Sequence, residues 1–177
     1  MSTYITRSDR VSIIADGQSM HSAAVNLDYQ IDWKQVLSEI ADPGRVLRAY
    51  YFTPLFVDED GFSPVQKLAD WLGFNGYDTV SVTVDDVTSE GKARGRRDLI
   101  VRITLACMHI APEVDHIILM TGDSAFIPLV GHIQLMHPNV RITVVSSQNA
   151  CSNSLRKQSD NFLDLDDLQD KIGKVVL

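Results

Sequence analysis

With 177 residues, 45% of them hydrophobic and 22% charged, the chain is long enough to bury a sizeable core and too apolar to remain disordered. Its formal net charge of −7 excludes wholesale, sequence-blind adhesion to nucleic acid, while leaving room for a local basic strip. No apolar run approaches the ~20 residues of a membrane span, the first ten residues lack the apolar heart of a signal peptide, and Cys107 and Cys151 stand in no metal-ligand spacing, so a reduced, cytoplasmic protein without a membrane partner is expected.

In chain order, residues 1–10 read as a polar N-terminal arm. The apolar run over 11–15 predicts a first strand that exits at Asp16-Gly17-Gln18-Ser19, with a helix over 20–25 behind it. Asp32 is placed to cap a helix over 33–40, which Asp42-Pro43-Gly44 breaks. A second, aromatic-rich strand over 46–52 ends at Thr53-Pro54, its Tyr50 and Tyr51 on opposite faces. An acidic loop follows over 55–62. Ser63-Pro64 then opens a helix whose Val65, Leu68, Ala69 and Leu72 recur at helical spacing, and Asn75-Gly76 closes it.

A third strand is expected over 77–84, then a polar loop over 85–95 that turns basic. The next helix, over 98–110, carries only Asp98, Arg102 and His109 as sizeable polar breaks and is expected to be largely buried. The short apolar run 117–120 has the signature of a strand covered on both faces. It leads through Thr121-Gly122 into a helix opened by Asp123-Ser124 and running to 136. A strand over 140–145, a short helix over 154–158 and an acidic helical tail complete the chain. The alternation predicts α/β architecture, a mainly parallel sheet with helices on both faces, in one domain over 1–177.

Two buried strands thus end in acid-glycine turns, at Asp16-Gly17 and Gly122-Asp123. Open α/β sheets place ligands at the carboxyl ends of parallel strands, so this pair could hold Mg2+ or Mn2+ if the strands are neighbours. A two-ion phosphodiester site usually needs more acids than two, and the plainer reading is that Asp123 caps a helix and Asp16 is a polar strand end. Lys92, Arg94, Arg96, Arg97 and Arg102 form a basic strip that could steer a phosphate backbone or be a solvated face; no aromatic residue interleaves with it to stack bases. The histidines show no H-x-x-x-H spacing, and the phosphate-cradling and nucleophile-elbow glycine motifs are absent. Val84-Asp85-Asp86 falls about where a receiver domain carries its phosphoacceptor, which keeps a signalling module as an alternative reading.

Longer stretches add a resemblance. Ile14-Ala-Asp-Gly-Gln-Ser19, Arg48-Ala-Tyr-Tyr-Phe52, Trp71-Leu-Gly-Phe-Asn-Gly-Tyr77, Val114-Asp-His-Ile-Ile-Leu-Met-Thr-Gly-Asp-Ser-Ala-Phe126, residues 140–147 and Leu155-Arg-Lys-Gln-Ser-Asp-Asn-Phe162 together resemble the NYN domains, the LabA-like branch of the PIN-like ribonuclease superfamily. The resemblance implies a PIN-like (Rossmannoid) three-layer fold, Mg2+- or Mn2+-dependent RNA cleavage, and RNA as partner. Asp16 and Asp123 match family acids, whereas Ser19 replaces an Asn and Ala125 replaces the second acid of Gly-Asp-x-Asp.

The family's Lys-Gly-x-x-Asp motif, with a further Asp six residues on, can be matched in two registers. One sets Arg94-Gly95-Arg96-Arg97-Asp98 on it, keeping Asp98 and placing Thr104 at the second acid. The other, gapless back from Met108, places Ile100 and Ala106 at the two positions. Either way the second helix acid is missing. The resemblance therefore implies Asp16, Asp123 and Asp98 as catalytic positions, with Asp16 and Asp123 on a weakly held metal; Ser19 and Ser147, and Arg94, Arg96 and Arg97 of the basic strip, are the candidates toward substrate. The expected function is to act on or bind RNA with weak or no nuclease activity. The alternatives are a ribonuclease that works with a reduced acid set, and a module for a protein partner.

Overall fold

The structure is a computed structural model that describes residues 5–175. Its elements in order are β1 (Arg10–Asp16), α1 (Gly17–Val25), β2 (Tyr29–Ile31), α2 (Trp33–Glu39), β3 (Arg45–Phe56), α3 (Gln66–Phe74), β4 (Asp78–Val84), α4 (Ser89–Ile110), β5 (His116–Met120), α5 (Ile127–Met136), β6 (Arg141–Ser146), α6 (Asn153–Gln158), β7 (Asn161–Asp164), α7 (Leu165–Ile172) and β8 (Gly173–Val175). Six strands form one sheet in the order β4-β3-β1-β5-β6-β7, every neighbouring pair parallel. β2 and β8 make a separate antiparallel ribbon.

Alternation along β1 sends Val11, Ile13 and Ala15 to one face and Ile14 to the other, and the helices divide accordingly. Met20 and Ala23 of α1, Trp33 and Val36 of α2, Leu72 of α3, and Leu168 and Ile172 of α7 cover the first face. Leu99, Ile103 and Cys107 of α4, Leu129, Val130 and Ile133 of α5, and Leu155 of α6 cover the second. The result is the expected three-layer α/β fold. β5 has neighbours on both edges and helices on both faces, which is why His116–Met120 is buried throughout.

Several boundaries differ from the sequence-based expectation. β3 runs on through Pro54 to Phe56. β1 pairs with β3 only as far as Asp16 opposite Phe52, so Pro54 lies on a stretch of β3 that has a strand neighbour on one side alone, β4. α4 begins at Ser89, capped by the Thr88 side chain, so Lys92, Arg94, Arg96 and Arg97 lie on a helix instead of a loop. Its buried row, Gly91, Gly95, Leu99, Ile103, Cys107, repeats every four residues and opens with two glycines that carry no apolar signal. α4 is also less buried than expected, with Val101, Leu105 and Met108 exposed. Of the polar arm, Ile5 joins the core, Asp9 is buried and Arg10 starts β1; residues 1–4 lie outside the described part. The acidic tail is α7 followed by β8, which returns to pair with β2.

Candidate functional site

β1 leaves toward β3 on one side and lies against β5 on the other, so the chain's direction of winding switches between β1 and β5. A cleft forms where such a switch occurs, outside the carboxyl ends of the strands. Ala15 pairs with Met120, which puts Asp16 beside Thr121 and the turn that follows β5. The two acid-glycine turns therefore meet at one rim of the sheet.

Asp16 is fully buried. As N-cap of α1 its Oδ1 accepts from the Ser19 N–H at 3.2 Å, and its Oδ2 accepts from the Thr121 hydroxyl at 3.0 Å. Asp123 caps the short 3-10 turn at 124–126, its Oδ1 accepting from the Ala125 N–H at 2.9 Å. The Ser19 hydroxyl ties the turns together by accepting from the Gly122 N–H at 3.0 Å. Gly122 has to be glycine, since a Cβ there would stand 2.5 Å from the Ala150 carbonyl oxygen.

The group between the two carboxylates is Arg96. Its Nη1 and Nη2 donate to Asp16 Oδ1 and Oδ2 at 2.9 and 2.7 Å, a bidentate fork. Its Nη2 and Nε donate to Asp123 Oδ2 at 2.6 and 3.1 Å. Burial works to raise the Asp123 pKa, but the Ala125 N–H and the guanidinium outweigh it and hold that carboxyl below its ordinary value. Burial would likewise lower the Arg96 pKa, and the two carboxylates reverse this. Arg96 and Asp123 thus hold each other in their charged forms.

These residues do not fit a hard divalent cation. Mg2+ takes about six oxygen ligands, and here both carboxylates are already spent on a guanidinium whose fixed positive charge lies where the ion would have to sit. No group of three or more His, Cys, Asp and Glu side chains with metal-binding geometry occurs among the described residues.

The remaining sequence candidates are distributed unevenly. Ser19 and Arg96 line a cleft of about 310 Å3 together with Gln18, Ser22, Gly122, Asp123 and Ala150. Asp98 is not part of it: the side chain pairs with Arg102 at 3.0 Å, one turn along α4. Ser147 is buried and accepts from the Ala150 N–H, holding the loop behind the cleft. Arg94 pairs with Asp86 at 3.3 Å, and Arg97 is exposed. Ala125 presents only a methyl group, while Ile100 and Ala106 pack against the apolar core. Asp86 also accepts from the Thr88 N–H, an arrangement at the start of α4 that shares no partner with the acid pair. The sequence places Arg96 among the substrate-facing bases; its place between the acids depends on α4 starting nine residues earlier than the apolar pattern suggests.

The NYN domain model matches residues 10–166. The chain belongs to the NYN domain family. This NYN domain is 25% identical over 170 residues to the low amplitude and bright protein LabA of Synechococcus elongatus, an alignment covering 95% of this chain and 90% of that one. It is similar in structure to a protein of unknown function from Vibrio parahaemolyticus, with a TM-score of 0.76 and 25% identity over 98% of this chain and 100% of that one. Among the described residues, no helix is long and apolar enough to cross a membrane.

Proposed function

We propose that this NYN domain, spanning the whole chain, binds RNA along the carboxyl edge of its sheet and has little or no phosphodiester-cleaving activity. The observation that carries the reading is Arg96, which satisfies Asp16 and Asp123 at once. Family membership supports an RNA-related role. Metal-assisted hydrolysis stabilises the attacking and leaving oxygens through ions held by several carboxylates. Here two carboxylates face a guanidinium, and the further acid positions hold Ala125 and, on α4, Thr104 or Ala106. A guanidinium supplies charge but no activated water. Any Mg2+ or Mn2+ would have to displace Arg96 and would be held weakly. Exposed Lys92 and Arg97 on α4, neither ion-paired among the described residues, supply positive charge beside the cleft for phosphates. Two buried, unpaired cysteines accord with a cytoplasmic setting.

The test combines single-stranded RNA binding, cleavage in the presence of Mn2+, and calorimetric titration with Mn2+. Expected are salt-sensitive binding, no cleavage beyond background, and no saturable metal heat. Sustained turnover that Asp123→Asn abolishes would overturn the reading in favour of a ribonuclease working with a reduced acid set.

A further inference from the structure

A second cavity, of about 730 Å3, opens on the other side of the α1 N-terminus. Gly17 lines it, while the next two residues, Gln18 and Ser19, line the acid cleft. Its volume lies within the range of small-molecule sites, roughly 300–1,000 Å3. Aromatic rings form its inner wall: Trp33 and Tyr51 meet edge to face with centroids 4.9 Å apart, and Tyr29 stands beside them.

The hydroxyls of the buried tyrosines behave differently. Tyr29 donates to the Leu165 carbonyl at 2.9 Å and Tyr77 to the Trp33 carbonyl at 2.7 Å. Tyr51 is only 3% exposed, yet its hydroxyl makes no hydrogen bond among the described residues. That hydroxyl lies against Gly17, so close that a Cβ on residue 17 would come within 2.4 Å of it. The hydroxyl oxygen is not among the fully enclosed, unpaired polar atoms, so it faces the open cavity and can pair with a ligand there. At the outer edge the chain turns at Asp28, a non-glycine residue in the left-handed region at φ 57°, and Asp28 and Gln30 line the rim. Strained backbone of this kind concentrates at ligand sites.

We propose that this cavity binds a nucleobase. A base is planar with apolar faces, which suits aromatic and aliphatic walls. Its edge carries both donors and acceptors, which suits the Tyr51 hydroxyl, the Gln30 amide and the Asp28 carboxylate. No Lys or Arg lines the cavity and Asp28 would repel a phosphate, so the sugar-phosphate lies outside it, toward the Ser19 and Arg96 cleft across α1. The base would come from a bound RNA strand, a source that rests on the RNA reading above, or from a free nucleoside, which does not.

Trp33 is the reporter. Trp71 is the chain's other tryptophan and is 41% exposed, so Trp71→Phe leaves Trp33 emission alone. The full chain carrying that change is titrated with each of the four ribonucleosides and, separately, with a short single-stranded RNA and its abasic counterpart. Saturable Trp33 quenching by at least one nucleoside is expected, weakened about tenfold by Tyr51→Phe through loss of the hydroxyl's hydrogen bond. Ala24→Leu, which narrows the cavity, should abolish it, with Tyr51→Phe as the conservative check should that variant fold poorly. Tighter binding of intact than abasic RNA assigns the base to a strand, and equal binding of the two alongside nucleoside quenching assigns it to a free nucleoside. Absence of quenching by all four in the millimolar range, or quenching indifferent to Tyr51→Phe, overturns the proposal even if RNA binds at the basic strip. Nucleoside quenching without any RNA binding leaves the cavity assigned and removes the RNA reading instead.

Discussion

Arg96 is a cation the chain supplies to its own acid pair. Asp16 is fully buried, so truncating the arginine leaves an uncompensated carboxylate facing a second one. Breaking a buried pair in this way costs 3–5 kcal/mol. Arg96 and Asp123 retain 21% and 31% side-chain exposure, which places Arg96→Ala near the lower end, about 3 kcal/mol or roughly 10 °C in Tm. With the guanidinium gone, two carboxylates face the cleft, and Mn2+ should restore part of the loss by binding the folded state. Thermal melts of both proteins with and without Mn2+ test this. A wild-type shift as large as the variant's would mean that Arg96 does not stand in for a metal. A second buried group sets a pH dependence. Burial, with a contribution from Arg141, pushes the His116 pKa down to about 4; its Nε2 faces the Thr143 hydroxyl at 2.6 Å and its Nδ1 has no partner among the described residues. The unfolded chain takes up this proton near pH 6.5 and the folded one only near pH 4. Stability is therefore fully present above about pH 6.5 and declines by up to about 3 kcal/mol as pH falls to 4. Urea titrations across that window should show the decline, and His116→Leu should make it shallower.

At the scale of elements, α4 decides where Arg96 stands, and two glycines decide where α4 stands. A Cβ on Gly95 would come within 2.5 Å of Val84 Cγ2, and one on Gly91 within 2.0 Å of the Asp86 carbonyl oxygen. Alanine is intrinsically better than glycine in a helix by up to about 1 kcal/mol, but overpacking against β4 costs about 1–3 kcal/mol. Gly95→Ala is therefore expected to lower stability and to loosen the Arg96 contacts on the neighbouring residue. Gly131 in α5 provides the opposite case. Its nearest obstacle is Gln158 Nε2 at 3.6 Å, so Gly131→Ala should be neutral or stabilising. Equal Tm changes for the two would show that propensity, not the approach of α4 to β4, governs both. The same helix marks how far the sequence could be read. β1, β5 and β6 announce themselves as apolar runs, and Asp32 and the Asn75-Gly76 pair mark helix ends correctly. The first turns of α4 are polar and glycine-bearing, with close backbone approach in place of apolar side chains. β2 and β8, three residues each, exist through mutual pairing across the chain, and β7 exists through its bond to β6; no local pattern encodes such partners.

Across the whole molecule, the position of the acid pair was legible because two strand-turn signatures fixed it, whereas its partner was not, since Arg96 looks like any other member of a basic run. That run is also weaker than its sequence suggests. Arg96 is committed to the cleft, Arg94 to Asp86 and Arg102 to Asp98, leaving Lys92 and Arg97 unpaired among the described residues of a chain with net charge −7. An RNA strand on this face would meet about two phosphate contacts outright and up to about four if the exposed pairs exchange partners, giving a slope of log K against log salt of about −1.4 to −2.8 for a single strand. Arg97→Glu should weaken every RNA sequence about equally and make that slope shallower by about one contact's share. Tyr51→Phe, which removes a base contact and no charge, should weaken binding without changing the slope. The two variants thus separate phosphate attraction along α4 from base capture beneath α1, and a slope near zero in the unaltered protein would remove the basic strip from the binding surface.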